Sequence, residues 1–154
     1  YRISETIKEN IKEYYAAFQI CNDRHNLGDL TPFLLMMLNM ILQALTDLKD
    51  ALTRRLYSWK EYEKLVPELA ADAVNQKQYE NLCDLYTILI QASLFSENGI
   101  TMKELKQIIG SSENTIKNLL KHVIDHGYLQ KQKNGNTNYY QINLQALEDI
   151  LLQL

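Results

Sequence analysis

Glycine, proline and cysteine are scarce in this chain of 154 residues, which contains five Gly, two Pro and two Cys. So little glycine and proline excludes collagen-like and linker-like chains, and it leaves few positions for a glycine-rich loop that holds phosphates. Because Leu, Lys, Gln and Glu are abundant, the composition favours a mainly helical fold. Cys21 and Cys83 form neither a CxxC pair nor a finger-like spacing, so we interpret them as reduced, half-buried thiols of a cytoplasmic protein.

An excess of one charge and a long hydrophobic run are also missing. With 16 basic and 19 acidic residues the net charge is −3, which argues against a generic polyanion binder, so any nucleic-acid contact needs a local basic face. The longest apolar stretch, residues 32–38, is far shorter than the ~20 residues of a membrane span, and no secretory signal is visible. We therefore expect no membrane association. The chain begins with Tyr1 rather than Met, and we interpret it as part of a longer protein.

The N-terminal third has the periodicity of two amphipathic helices. The first is predicted to start at Ser4, and its apolar stripe consists of Ile7, Ile11, Tyr14, Phe18 and Cys21. Residues 22–28 form a polar loop, and Thr31-Pro32 is a strong start for the second helix. The stripe of the second helix consists of Leu34, Leu38, Ile41, Leu45, Leu48 and Leu52.

Several other sides of this second helix are apolar as well, so its first half is expected to be nearly surrounded by other helices or by an oligomer interface. We expect self-association through Leu34, Met37 and Ile41. Ser58 begins a capping-box pattern, which predicts a separate short helix before Pro67. The boundary between two domains is placed after residue 72, giving a helical domain over 1–72 and a second domain over 73–154.

The second half contains an ordered series of helix and turn signals. A helix from Asn75 to Phe95 is followed by a capping box at Thr101 and a short helix ended by Gly110. Ser112 caps a further helix that Gly127 ends, and an Asn134-Gly135 hairpin turn joins two alternating segments. Residues 76–145 therefore resemble the winged helix-turn-helix family, and the fold class is mainly α: a helical bundle portion followed by a winged helix with a small β-hairpin wing.

Winged helices of this family imply a nucleic-acid interface on the second helix of the motif and on the wing. Ile116, Leu119, Leu120 and Val123 form the inward stripe of that helix, so the residues between them face outward. Six lysines against three acidic residues give residues 103–133 a net charge of +3, although no arginine is present. The candidate DNA-binding residues are Asn114, Thr115, Lys117, Asn118, Lys121, Lys131 and Lys133. A protein partner or self-association remains the alternative to DNA.

The first third of the chain resembles the C-terminal helical part of Fic-family proteins. The elements that carry this resemblance are Tyr-Tyr-Ala-Ala at 14–17, a polar turn at 23–27, Gly-Asp-Leu-Thr-Pro-Phe at 28–33 and the apolar helix at 34–48. The resemblance implies a parent enzyme that transfers a nucleotide monophosphate to a hydroxyl side chain, using ATP and Mg²⁺. That family catalyses this with a His-Pro-Phe…Gly-Asn-Gly-Arg loop, which lies upstream of the helix predicted to begin near Ser4.

No such loop occurs in this sequence, because none of His25, His122 and His126 precedes a proline and no Gly-x-Gly is present. We therefore predict no catalytic residue, no cofactor and no enzymatic activity in this chain. His122 and His126 have the i, i+4 spacing of two metal ligands on a helix, but no third ligand is evident nearby in the sequence, so no metal site is predicted. The predicted function is the non-catalytic C-terminal portion of a Fic-like protein whose winged helix binds DNA or a regulatory partner. The alternative is a stand-alone dimeric winged-helix transcription regulator.

Overall fold

Helices dominate the structure, as the composition predicts. The computed structural model describes residues 2–153, which contain eight α-helices and one three-stranded antiparallel sheet. The helices are α1 (Arg2–Glu9), α2 (Ile11–Asn22), α3 (Thr31–Glu63), α4 (Val66–Leu69), α5 (Gln76–Phe95), α6 (Met102–Ile109), α7 (Glu113–Asp125) and α8 (Leu144–Leu151). The strands are β1 (Ile100–Thr101), β2 (Leu129–Asn134) and β3 (Thr137–Ile142).

The chain packs as two compact units that divide between Arg54 and Arg55, inside α3, whereas the sequence placed the boundary after residue 72. The reason is that Tyr62 and Leu69 belong to the same buried cluster as the helices that follow them. Their burial draws the last turns of α3 and all of α4 into the C-terminal unit.

The first predicted helix is two helices, because the chain breaks at Asn10 between α1 and α2. The Asn10 side-chain amide donates to the carbonyl oxygen of Thr6 at 2.9 Å, where it competes with the helical backbone bond to the same oxygen. The helix also begins at Arg2, before the predicted cap Ser4. The apolar stripe is only partly covered, since Ile11 and Phe18 are exposed and Cys21 is half-buried.

A single helix of 33 residues, α3, replaces the two helices predicted between Thr31 and Pro67. Ser58, the predicted cap of a separate helix, lies within it. No glycine or proline occurs between Leu52 and Ser58, so nothing interrupts the backbone hydrogen bonds and the cap pattern is not used.

The first half of α3 is mostly exposed, so the other described helices of this chain do not surround it, and its coverage by an oligomer interface stays a prediction. Met40 and Ala44 are buried, while Leu34, Leu38 and Leu45 are more than half exposed. By length and apolar composition alone, α3 is the one helix within residues 2–153 that could cross a membrane.

The core of the C-terminal unit is built around α5, the helix predicted from Asn75 to Phe95. Leu82, Leu85, Tyr86 and Leu89 have no exposed surface, and the Asn75 side chain caps the helix by accepting from the backbone N–H of Gln78 at 3.0 Å. The buried residues that complete this core come from every later helix and from β3; they include Leu105, Ile116, Leu119, Leu120, Val123, Ile142 and Leu147.

The caps of α6 and α7 are those predicted from the sequence. Thr101 and Glu104 form a reciprocal capping box at the start of α6, and Gly110 ends the helix at a φ of +68°. The Ser112 side chain then caps α7 by accepting from the backbone N–H of Thr115 at 3.2 Å. The two helices are therefore separated by three residues, Gly110 to Ser112, which fixes where α7 begins.

The sheet consists of a hairpin and one short additional strand. β2 and β3 pair antiparallel with Asn134 opposite Thr137, so the two turn residues are Gly135 and Asn136 rather than Asn134 and Gly135. Only the first of them has a positive φ (+58° at Gly135), which is the requirement of a type II′ turn and not of the type I′ turn that an Asn-Gly pair favours. β1, which the sequence did not predict, pairs with β3.

Candidate functional site

The outward face of α7 has the residues predicted for it. The inward residues Ile116, Leu119, Leu120 and Val123 are buried, and the helix therefore turns its other side to solvent. Asn114, Asn118 and Lys121 are exposed, and in the described part of the chain their side chains make no hydrogen bond or ion pair. Two amides and one cation are thus free to bind an external ligand.

Thr115 lies in a different environment from its neighbours. It is half-buried, and its hydroxyl is 2.9 Å from the hydroxyl of the cap residue Ser112. The sequence predicted it as a DNA-binding residue, whereas in the structure its hydroxyl contacts the cap residue of the helix. Its contribution to an external contact is therefore smaller than that of Asn114 or Asn118.

Lys117 is exposed but already has a partner. Its ammonium nitrogen lies 2.8 Å from a carboxylate oxygen of Glu113, one turn earlier on α7. This hydrogen bond lowers the pKa of the Glu113 carboxyl and raises the pKa of Lys117 relative to their usual values. The pair cancels charge at the start of the helix, where a phosphate would otherwise be attracted.

The hairpin carries two exposed lysines, of which Lys131 lies beside α7. Lys131 lies with its ammonium group 5.9 Å from the centre of the Tyr140 ring, and Lys133 is exposed with a side chain that no described residue contacts by a polar bond. A cavity of about 290 Å³ between α7 and the hairpin is lined by Lys117, Lys131 and apolar side chains. The structure therefore places one lysine from each element at the rim of the same groove.

His122 of α7 and His126, the C-cap residue of this helix, contact an acidic residue from another part of the C-terminal unit. His122 Nε2 lies 2.6 Å from Asp72 Oδ1, and His126 Nε2 lies 3.3 Å from Asp72 Oδ2. The hydrogen bond with His122 lowers the pKa of Asp72 below its usual value. Asp72 therefore joins His122 and His126 as a third group that could bind a metal ion, and the sequence analysis did not identify it. It lies 50 residues before His122, and the residues around it, Ala-Ala-Asp-Ala, resemble no ligand motif.

Chemically, the α7–hairpin surface can bind anions and hydrogen-bonding edges through its lysines and amides, whereas the Asp72–His122–His126 cluster can exchange protons or hold a cation. No family model, curated protein or solved structure matches this chain.

Proposed function

We propose that the C-terminal unit is a winged helix-turn-helix domain that binds duplex DNA, within the non-catalytic C-terminal portion of a Fic-like protein. The observation that carries this proposal is the free outward face of α7 next to a hairpin with two exposed or ring-stacked lysines. The order α5, β1, α6, α7, β2, β3, with β3 paired to both other strands, supports it. In this arrangement α7 enters the major groove and the hairpin lies along the adjacent backbone.

The side chains divide into two roles. Asn114 and Asn118 present amides that can pair with base edges, with adenine as the preferred base of such an amide. Lys117, Lys121, Lys131 and Lys133 bind phosphates and supply the salt-sensitive part of the affinity. Because Glu113 neutralises Lys117 and repels phosphate, we propose a modest affinity that falls steeply with salt.

The first test replaces Lys117 and Lys121 together by Ala. Removing two phosphate contacts should weaken binding to all duplex sequences alike and reduce the slope of log K against log [salt] by about two units. Fluorescence anisotropy with labelled random duplexes at several salt concentrations measures both quantities. Asn118→Ala should instead change the sequence preference and leave the slope unchanged, because the amide carries no charge.

The matched control is the double variant Lys60→Ala and Lys77→Ala, which removes the same charge from exposed positions on α3 and α5. It should leave the salt slope close to that of the unmodified chain. If the unmodified chain binds no duplex at low salt, or if the control lowers affinity as much as the α7 variant, the surface is not a DNA interface and a protein partner becomes the better interpretation.

The second part of the proposal, a Fic-like parent, rests on the sequence elements at residues 14–48 and on the exposed leucines of α3, which a larger protein would cover. The same leucines are equally suited to the dimer interface of a stand-alone transcription regulator. The coding sequence upstream of Tyr1 distinguishes the two: a His-Pro-Phe…Gly-Asn-Gly-Arg segment supports the Fic-like parent, and its absence supports the regulator.

We expect the chain on its own not to transfer nucleotides. Its sequence contains no Gly-x-Gly and no histidine in the sequence context of the family's base. Incubation with ATP labelled on the α-phosphate and Mg²⁺ should give no stable incorporation into the chain or into added protein. Stoichiometric incorporation that disappears when one of its three histidines is replaced would overturn this expectation.

A further inference from the structure

Three ligand atoms for a metal ion converge at the carboxyl end of α7. His122 lies in the last turn of α7, His126 is the residue that directly follows this helix, and Asp72 reaches both from the turn that follows α4. One ligand atom from each of the three side chains lies within 4.8 Å of the other two. The three side chains differ in exposure: 13% for His122, 40% for His126 and 55% for Asp72.

The hydrogen bonds of His126 leave its Nε2 atom without a suitable partner in the neutral form. Its Nδ1 atom is 2.8 Å from the carbonyl oxygen of His122, which can only accept, so Nδ1 must carry the proton. In the neutral ring, Nε2 then has a lone pair, and this lone pair faces an oxygen of the Asp72 carboxylate at 3.3 Å. Two acceptors at this distance repel each other unless a cation or a second proton lies between them.

His122 is held in a similar way. Its Nδ1 atom lies 3.3 Å from the hydroxyl oxygen of Tyr86, a buried residue of α5, and its Nε2 atom faces Asp72. At 2.6 Å from the Asp72 carboxylate, which can only accept, Nε2 carries a proton in this structure. A metal ion bound at Nε2 replaces this proton, and the ring then holds its proton on Nδ1, which donates to the Tyr86 oxygen. Backbone carbonyls and hydroxyls in this position are the usual outer partners that orient a metal-binding histidine.

We propose that Asp72, His122 and His126 form a Zn²⁺ site, with both Nε2 atoms and one carboxylate oxygen as ligands. Ligands at the usual 2.0–2.2 Å from a tetrahedral zinc ion are about 3.3 Å apart, which is the separation of His126 Nε2 and Asp72 Oδ2. The distance of 2.6 Å between His122 Nε2 and the other carboxylate oxygen, Asp72 Oδ1, is shorter than this. The carboxylate must therefore move away from His122 when the ion binds. Asp72 is more than half exposed in a turn and has room to do so.

A cavity of about 300 Å³ adjoins Asp72 and His126. Its walls include Glu68, Asp72, His126 and Tyr128, so it is large enough and polar enough on one side to hold a zinc-bound water. Two imidazoles and one carboxylate favour a first-row transition metal over Mg²⁺ or Ca²⁺, which prefer ligand sets made of oxygen atoms.

Binding of zinc to the folded chain should stabilise it, because the ion joins the Asp72 turn to α7 and these groups are not assembled when the chain is unfolded. With free Zn²⁺ at about 100 times its Kd, the melting temperature of the full chain should rise by at least about 5 °C and return when a chelator is added. Co²⁺ should give the visible absorption bands of a tetrahedral N/O site, without the thiolate charge-transfer band that Cys21 or Cys83 would produce.

The variants Asp72→Asn and His126→Ala should each weaken Zn²⁺ binding in isothermal titration calorimetry at least about 10-fold. Both residues are exposed enough for the chain to fold without them. His25→Ala is the matched control, because it removes a histidine that also lies beside an aspartate, Asp23 at 2.9 Å, but has no further ligand. It should leave zinc affinity unchanged.

The proposal is overturned if Zn²⁺ neither raises the melting temperature nor gives a cobalt spectrum, in which case the cluster is an ion pair only. It is also overturned if zinc binds equally well to the Asp72→Asn and His126→Ala variants, or if the cobalt spectrum shows a thiolate band. An equal response to Mg²⁺ at the same concentration would likewise contradict a site of this composition.

Discussion

Replacing Gly99 by Ala should destabilise the C-terminal unit by about 3 kcal/mol. Gly99 has a φ of +92°, and a Cβ atom at this position would lie 2.5 Å from the carbonyl oxygen of Tyr140 and even closer to the Gln141 side chain. The obstructing oxygen belongs to the backbone of β3, so it cannot rotate away as a side chain would. Because Gly99 directly precedes β1, relieving the contact would separate β1 from β3. Urea denaturation followed by circular dichroism measures the change in the unfolding midpoint.

Gly110→Ala provides the control for this experiment. Gly110 also has a positive φ, +68°, but a Cβ atom there meets nothing within 4 Å. Its replacement should therefore cost only the backbone penalty, about 1 kcal/mol. The difference between the two variants isolates the steric contact with β3. Equal losses of stability would show that the close approach of Gly99 to β3 does not exist in solution.

The sequence was a good guide to the elements of the C-terminal unit, because their ends are set by local interactions. A capping box at Thr101, a left-handed glycine at Gly110 and a serine cap at Ser112 each need only residues within a few positions. The apolar stripe of α7 is equally local, and all four of its predicted members are buried. The hairpin turn was misplaced by one residue because both Asn134-Gly135 and Gly135-Asn136 satisfy the same sequence pattern.

Features that depend on distant contacts were missed. β1 contains only two residues and exists because β3 pairs with it, and no periodicity can be read from so short a segment. The ends of α3 depend on the absence of a breaker near Ser58 and on the burial of Tyr62, whose hydroxyl donates to Glu148 of α8 at 3.0 Å. Asp72 joins the histidines at the carboxyl end of α7 only through folding of the C-terminal unit.

The position of the candidate DNA surface could be predicted from the sequence, but the ion pairing of its charged residues was not predicted. The exposure of Asn114, Asn118 and Lys121 follows from the helical period, and the structure confirms it. The pairing of Lys117 with Glu113 follows the same period, at i and i+4, but its consequence is that one of the predicted phosphate contacts competes with an internal partner. Glu113 is therefore the residue that sets how weak the proposed DNA binding is.

We expect the full chain to self-associate at high micromolar concentration through the exposed face of α3. The predicted residues Leu34, Met37 and Ile41 are respectively exposed, half-buried and half-buried, so the structure moves the centre of the expected interface toward Leu38 and Leu45. Monomeric proteins rarely leave so many neighbouring leucines in water, because each fully buried leucine contributes about 1.5–3 kcal/mol. Sedimentation velocity over a concentration series measures the association.

The double variant Leu38→Lys and Leu45→Lys should abolish this association, raising its Kd at least about 100-fold, since each copy loses two apolar contacts and gains two repelling charges. The matched control, Asn39→Lys with Gln43→Lys, adds the same charge to the same helix at exposed polar positions and should associate nearly as well as the unmodified chain. A strictly monomeric unmodified chain at high micromolar concentration would contradict the expectation.

A monomeric chain could instead sediment with phosphatidylcholine vesicles. If the leucine variant abolished this binding and the control variant did not, the result would assign this face of α3 to a lipid surface, consistent with its length and apolar composition.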